Sequence, residues 1–100
     1  MRQEDSRRHA VMEYIRSNIN ILNDNHSCDL DKEISRLLLK EEINFLLKEF
    51  LYIKKSGTYS DQLGFKKDIH EIKDLLFSYL VSHQDDKQVK HIYENTFYII

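Results

Sequence analysis

The sequence predicts an all-α fold, a four-helix antiparallel bundle, on three observations. Proline is absent and glycine occurs twice, at Gly57 and Gly64. A β-rich domain of this length needs many tight turns, and turns draw on those two residue types. Apolar residues recur at intervals of three and four along four separate segments, the periodicity of a helix face. Short polar runs part the segments, as they do between antiparallel neighbours in a bundle. The 100 residues make one domain, residues 1–100, able to bury roughly 60–70% of its unfolded surface without a metal or disulfide to staple it.

Helix one is expected over 6–23. Met12, Ile15, Ile19 and Leu22 are spaced 3, 4, 3 and share a face. The run NDNHSCD at 23–29 reads as a loop, because Asn, Asp and Ser bond their own backbone in place of helix partners. Helix two follows over 31–55, capped by Asp29 or Asp31. It closes at Ser56-Gly57-Thr58 after the basic turn Lys54-Lys55, which suits the negative end of the dipole. Helix three is expected over 61–82, started by Ser60 or Asp61. Its apolar face is Phe65, Ile69, Ile72, Leu76 and Tyr79. The segment SHQDD at 82–86 breaks it, and Asp85 with Gln88 has the spacing of a capping pair for helix four, over 86–98. That helix carries Val89, Ile92, Tyr93, Thr96 and Phe97. Its end, TFYII, is rich in strand-favouring types, so an extended finish is the alternative there.

Helix two carries more apolar surface than one stripe requires. Leu39, Ile43, Leu46, Phe50 and Ile53 recur at 4, 3, 4, 3, the spacing of a coiled-coil seam. A second group, Ile34, Leu38, Phe45 and Tyr52, lies well over 100° around the axis, and Leu37, Leu47 and Leu51 fill much of the rest. A helix apolar nearly all round is usually a buried one. Two readings follow. Either helix two is the central element, embraced by the other three, or part of its surface is an interface to another chain. Glu41, Asn44 and Lys48 make one narrow polar strip and Arg36 with Lys40 another, so some contact with water survives.

The aromatic residues point the same way. Six of them are tyrosines, a type that combines large contact area with a polar tip and is enriched at interfaces. The apolar residues at the end of the sequence must also pack on something, and a neighbouring subunit is within reach. The expected partner surface is therefore Leu39, Ile43, Leu46, Phe50 and Ile53 with Tyr52, Tyr93, Phe97 and Tyr98.

Catalytic and cofactor chemistry finds little support. Two glycines cannot build a phosphate cradle or a nucleophile elbow, and no motif of either kind is present. Cys28 forms an H-x-C pair with His26, but no second cysteine exists to complete a zinc site. His9 with Glu13 and His70 with Asp74 are i, i+4 pairs that surface hydrogen bonds explain. Glu41-Glu42 and Asp85-Asp86 are adjacent, so on a helix their carboxylates diverge. No enzyme, metal or cofactor is expected.

Charge restricts the partners. The net charge is −2, whereas a dedicated nucleic-acid binder usually has a basic excess. Arg2, Arg7, Arg8 and Arg16 cluster near the start and are the candidate phosphate contacts. The lone cysteine fits a reducing compartment. There is neither a leader-like N-terminus nor a run of 18 apolar residues. Cytoplasm is the expected location.

The segment EYIRSNINIL at 13–22, with Tyr14-Ile15-Arg16-Ser17 at its start, resembles the small enterobacterial connector proteins of the AriR biofilm and acid-resistance type. The resemblance covers about two thirds of the chain. It implies an α-helical regulator that tends to dimerise. The long, doubly apolar helix two and the extra C-terminal helix depart from that family. The sequence as a whole leads to a non-enzymatic regulator or adaptor that binds a protein, as a homodimer through helix two and the C-terminal helix. Its alternatives are a toxin-neutralising immunity protein and a weak nucleic-acid modulator.

Overall fold

Among the described residues the chain forms four helices, in the order α1 (Gln3–Asn23), α2 (Asp29–Ser56), α3 (Tyr59–Ser82) and α4 (Lys87–Ile99). The computed structural model describes residues 3–99, and side chains over 7–96. No strand occurs among the described residues. Each helix runs back along the one before it. Phe50 of α2 meets Phe65 of α3, with ring centroids 6.3 Å apart, while Arg36 nearer the start of α2 reaches Asp86 just beyond α3. Phe77 of α3 meets Tyr93 of α4 at 6.3 Å. The result is the expected all-α bundle.

The caps differ from the sequence expectation in ways the local chemistry explains. Cys28, rather than Asp29 or Asp31, caps α2, its Sγ accepting from the Asp31 amide at 3.4 Å. The two aspartates sit in the first turn instead, where their charge faces the positive end of the dipole. Thr58 starts α3 two residues earlier than expected. Its hydroxyl accepts from the Asp61 amide at 3.2 Å, and the Asp61 carboxylate accepts from the Thr58 amide at 3.3 Å, a reciprocal capping box. Asp86, not Asp85, caps α4 by accepting from the Val89 amide at 3.1 Å. The alternative of an extended TFYII end is set aside, since α4 continues to Ile99. Gly57 ends α2 with φ −89°, so the left-handed freedom of glycine is not what the site uses. A Cβ there would stand 2.7 Å from the Ile53 carbonyl oxygen, and close approach is the reason for glycine.

The core is the set of helical faces that the periodicity picks out. Met12, Ile15, Ile19 and Leu22 come from α1, and Phe65, Ile69, Ile72, Leu76 and Tyr79 from α3. Val89 and Ile92 come from α4. From α2 the whole first seam, Leu39, Ile43, Leu46, Phe50 and Ile53, joins them together with Leu47. Burying one such side chain contributes about 1.5–3 kcal/mol. The expectation that this seam belongs to a partner interface is therefore corrected: it is covered by its own chain. The reason is its continuity. Five apolar residues follow one another on it without a charge, whereas burying the other side of α2 would carry Glu41 and Lys48 out of water, at a cost their neighbours do not offset.

Candidate interaction surface

With one side of α2 committed to the core, the second apolar group faces out. About 100° per residue places Ile34, Leu38, Phe45 and Tyr52 roughly 100–140° around the axis from the core seam, and all four are exposed. Leu30, Leu37 and Leu51 widen the stripe. Tyr52 is 67% exposed and Leu37 59%. Single exposed apolar residues are ordinary, whereas a row of them along one helix is not. Glu41 and Lys48 are exposed near its midline, seven residues apart. The spacing 34, 38, 41, 45, 48, 52 is again that of a coiled-coil seam, now with two of its six positions charged.

A second exposed patch lies between α3 and α4. Phe77, Leu80, Val81 and Tyr93 line a cleft of about 550 Å³ with Gln84, Lys90 and Glu94 at its rim. Phe77 and Val81 are exposed, and Tyr93 is half-buried against Phe77.

At one end of the bundle a polar cleft of about 550 Å³ opens between the start of α2 and the α3–α4 loop, walled in part by Asp29, Lys32, Arg36, Tyr79, His83 and Asp86. Its inner wall is fully engaged. Asp86 Oδ2 accepts from the Tyr79 hydroxyl at 2.6 Å and from Arg36 Nε at 2.9 Å, while Oδ1 caps α4. Burial works against the Asp86 charge, but the bonds from Tyr79, the Val89 amide and Arg36 outweigh it and hold this carboxyl below the usual carboxylate range. Burial and the bond to Asp86 push Tyr79 up to about 12. His83 stacks on the Tyr79 ring at 4.2 Å, and its Nδ1 lies 3.0 Å from the Tyr79 carbonyl oxygen. Three acceptor positions of this carboxylate are thereby filled, and the phenol stays protonated. This cluster ties α2, α3 and α4 together.

The remaining expected site residues divide plainly. Tyr52 and the half-buried Tyr93 lie on the two apolar patches. The side chains of Phe97 and Tyr98 lie outside the described residues, as does Arg2. Arg7 is exposed. Arg8 and Arg16 do not converge on open solvent. Arg8 Nε lies 2.8 Å from Asp68 Oδ2, and its guanidinium covers the Phe65 ring at 5.0 Å. Arg16 holds Glu71 in a fork of 2.6 and 2.9 Å, and this bond keeps the Glu71 carboxyl low. A phosphate at either arginine would have to displace a carboxylate already in place.

Sequence reasoning missed one buried polar contact. Asn18 of α1 is buried and donates from Nδ2 to Glu42 Oε1 at 2.7 Å. Burial pushes the Glu42 carboxyl up, against the lowering effect of Asn18. Asn18 stands next to Ile19 of the core face, so a polar residue at the edge of an apolar stripe was the available signal.

Among the described residues no group of three or more His, Cys, Asp and Glu side chains is placed to hold a metal ion, and no helix is long and apolar enough to cross a membrane. No protein-family model matches the chain, and no curated protein or solved structure matches it at a significant level.

Proposed function

We infer that this chain is a non-enzymatic regulator or adaptor that works by binding protein through the outward face of α2. One observation carries the reading. Ile34, Leu37, Leu38, Phe45, Leu51 and Tyr52 stay exposed on one long helix after the chain has filled its own core. Holding such a stripe in water is unfavourable by roughly 25 cal/mol for each Å² of apolar surface, so covering it with another chain yields free energy that the isolated fold leaves unused. The polar end of the molecule fits the same reading, because Arg36, Tyr79 and Asp86 are spent on holding helices together.

Affinity capture from host extract tests it, comparing the natural chain with a Leu38→Glu/Phe45→Glu variant. Both positions are exposed, so the variant keeps its helical circular dichroism. The reading expects protein retained by the natural chain and lost by the variant. Equal recovery by both, or none by either, contradicts it.

A further inference from the structure

We propose that the occupant of this face is a second copy of the chain, docked α2 against α2 in antiparallel sense about a two-fold axis between Asn44 and Phe45. The proposal rests on the reading above and adds the identity and register of the partner. Its argument is the position of two charges. Glu41 and Lys48 interrupt the outward stripe near its midline and stand ~10.5 Å apart along the axis at 1.5 Å per residue. In a parallel pair each would meet its own copy, carboxylate against carboxylate and ammonium against ammonium, an arrangement that interfaces disfavour strongly. Antiparallel packing about the midpoint of the two sets Glu41 against Lys48 of the partner subunit, and symmetry repeats the pair.

In this register positions whose numbers sum to 89 stand at the same height along the pair, and apolar residues flank the Glu41–Lys48 pairs on both sides, Leu38 and Phe45 on one and Leu37 and Leu51 on the other. Sliding one chain by a heptad in either direction brings Glu41 onto Glu41 of the partner subunit or Lys48 onto Lys48 of the partner subunit. Of these three alignments only the first sets unlike charges against each other. The stripe from Leu30 to Tyr52 is ~33 Å long. One helix pair of that length falls near the low end of stable interface sizes, so the dimer is expected to be weak and concentration-dependent.

Sedimentation equilibrium on the full chain decides the matter, using four proteins: the natural chain, Glu41→Lys, Lys48→Glu and the double exchange. Both positions are exposed, and circular dichroism checks that each variant is folded. The natural chain is expected to show a monomer–dimer equilibrium, each single exchange to weaken it about tenfold or more, and the double exchange to recover it within about threefold. A dimer indifferent to the single exchanges, or not recovered by the double one, overturns the register. A monomer at every concentration overturns the second copy as occupant. It leaves the protein-binding reading standing if the capture experiment still returns a protein that the Leu38→Glu/Phe45→Glu variant loses.

Discussion

Tyr79 and Asp86 are joined by a 2.6 Å hydrogen bond across the α3–α4 turn, and the oxygen that accepts it also accepts from Arg36 of α2. One carboxylate thus links α2 to α3 and caps α4. Its side chain is 7% exposed. Asp86→Ala removes a cap and leaves a guanidinium and a phenol without their acceptor, at a cost of about 2–4 kcal/mol. Asp86→Asn keeps the cap and costs less. Urea unfolding of the two variants checks the order.

The same group sets an acid limb. The Asp86 carboxyl is held below its ordinary 3.8 in the folded chain. A carboxyl lowered on folding adds stability that is fully present above the unfolded value and is lost as pH falls through the folded one. Stability of the natural chain should therefore fall below pH ~4 more steeply than that of Asp86→Asn. Thermal unfolding between pH 3 and 7 reads the difference, and parallel curves would remove Asp86 as its source.

Glu42 has the opposite sign. Burial raises its carboxyl in the folded chain, so its ionisation opposes folding, and stability falls as pH rises through the folded value. Glu42→Gln keeps an oxygen for Asn18 and removes the charge, and should change stability at neutral pH by less than about 1 kcal/mol. Glu42→Ala leaves the buried Asn18 amide without its acceptor and should cost about 1–3 kcal/mol. Denaturant midpoints at pH 7 separate the two.

Leu38 and Leu39 are neighbours in sequence with opposite fates, 43% and 0% exposed. Leu39→Ala opens a core cavity and should cost about 2–5 kcal/mol. Leu38→Ala should stay within about 0.5 kcal/mol when measured at protein concentrations low enough to keep the chain monomeric. Equal costs would mean that α2 is turned differently in the bundle.

Gly64 sits inside α3, where alanine normally adds about 1 kcal/mol. Here a Cβ would stand 2.8 Å from a terminal nitrogen of Arg8, and Arg8 is held by Asp68 and the Phe65 ring. Gly64→Ala should therefore gain nothing in the natural chain. In an Arg8→Ala background it should stabilise by about 0.5–1 kcal/mol. The double-mutant cycle reports that coupling.

Much of this fold is legible from spacing alone. Met12, Ile15, Ile19 and Leu22 lie at intervals that fix one side of α1 whatever it packs on, and the same holds for Phe65 to Tyr79 in α3. Helix α2 is different, since both of its apolar groups have helical spacing, and tertiary packing chooses between them. The cue was present in the charges. Leu39 to Ile53 form an uninterrupted seam, while Ile34 to Tyr52 contain Glu41 and Lys48 at seam positions, and the interrupted side is the one left in water. The cap at Cys28 was not legible, because a thiol is a weak acceptor beside two aspartates that favour the same role. Asn18 with Glu42 and Arg16 with Glu71 depend on which helices come together, and that information lies in no single segment.

The claim beneath all of this is that the exposed side of α2 is covered by another chain where the protein works. Hydroxyl-radical labelling of the tyrosines tests it most directly, with dilute purified chain compared against host extract. Tyr14, Tyr52 and Tyr59 are all exposed in the isolated chain, and Tyr52 alone of the three lies on the stripe. The account predicts that Tyr52 is protected in extract while Tyr14 and Tyr59 continue to react. Unchanged labelling of Tyr52 would contradict it.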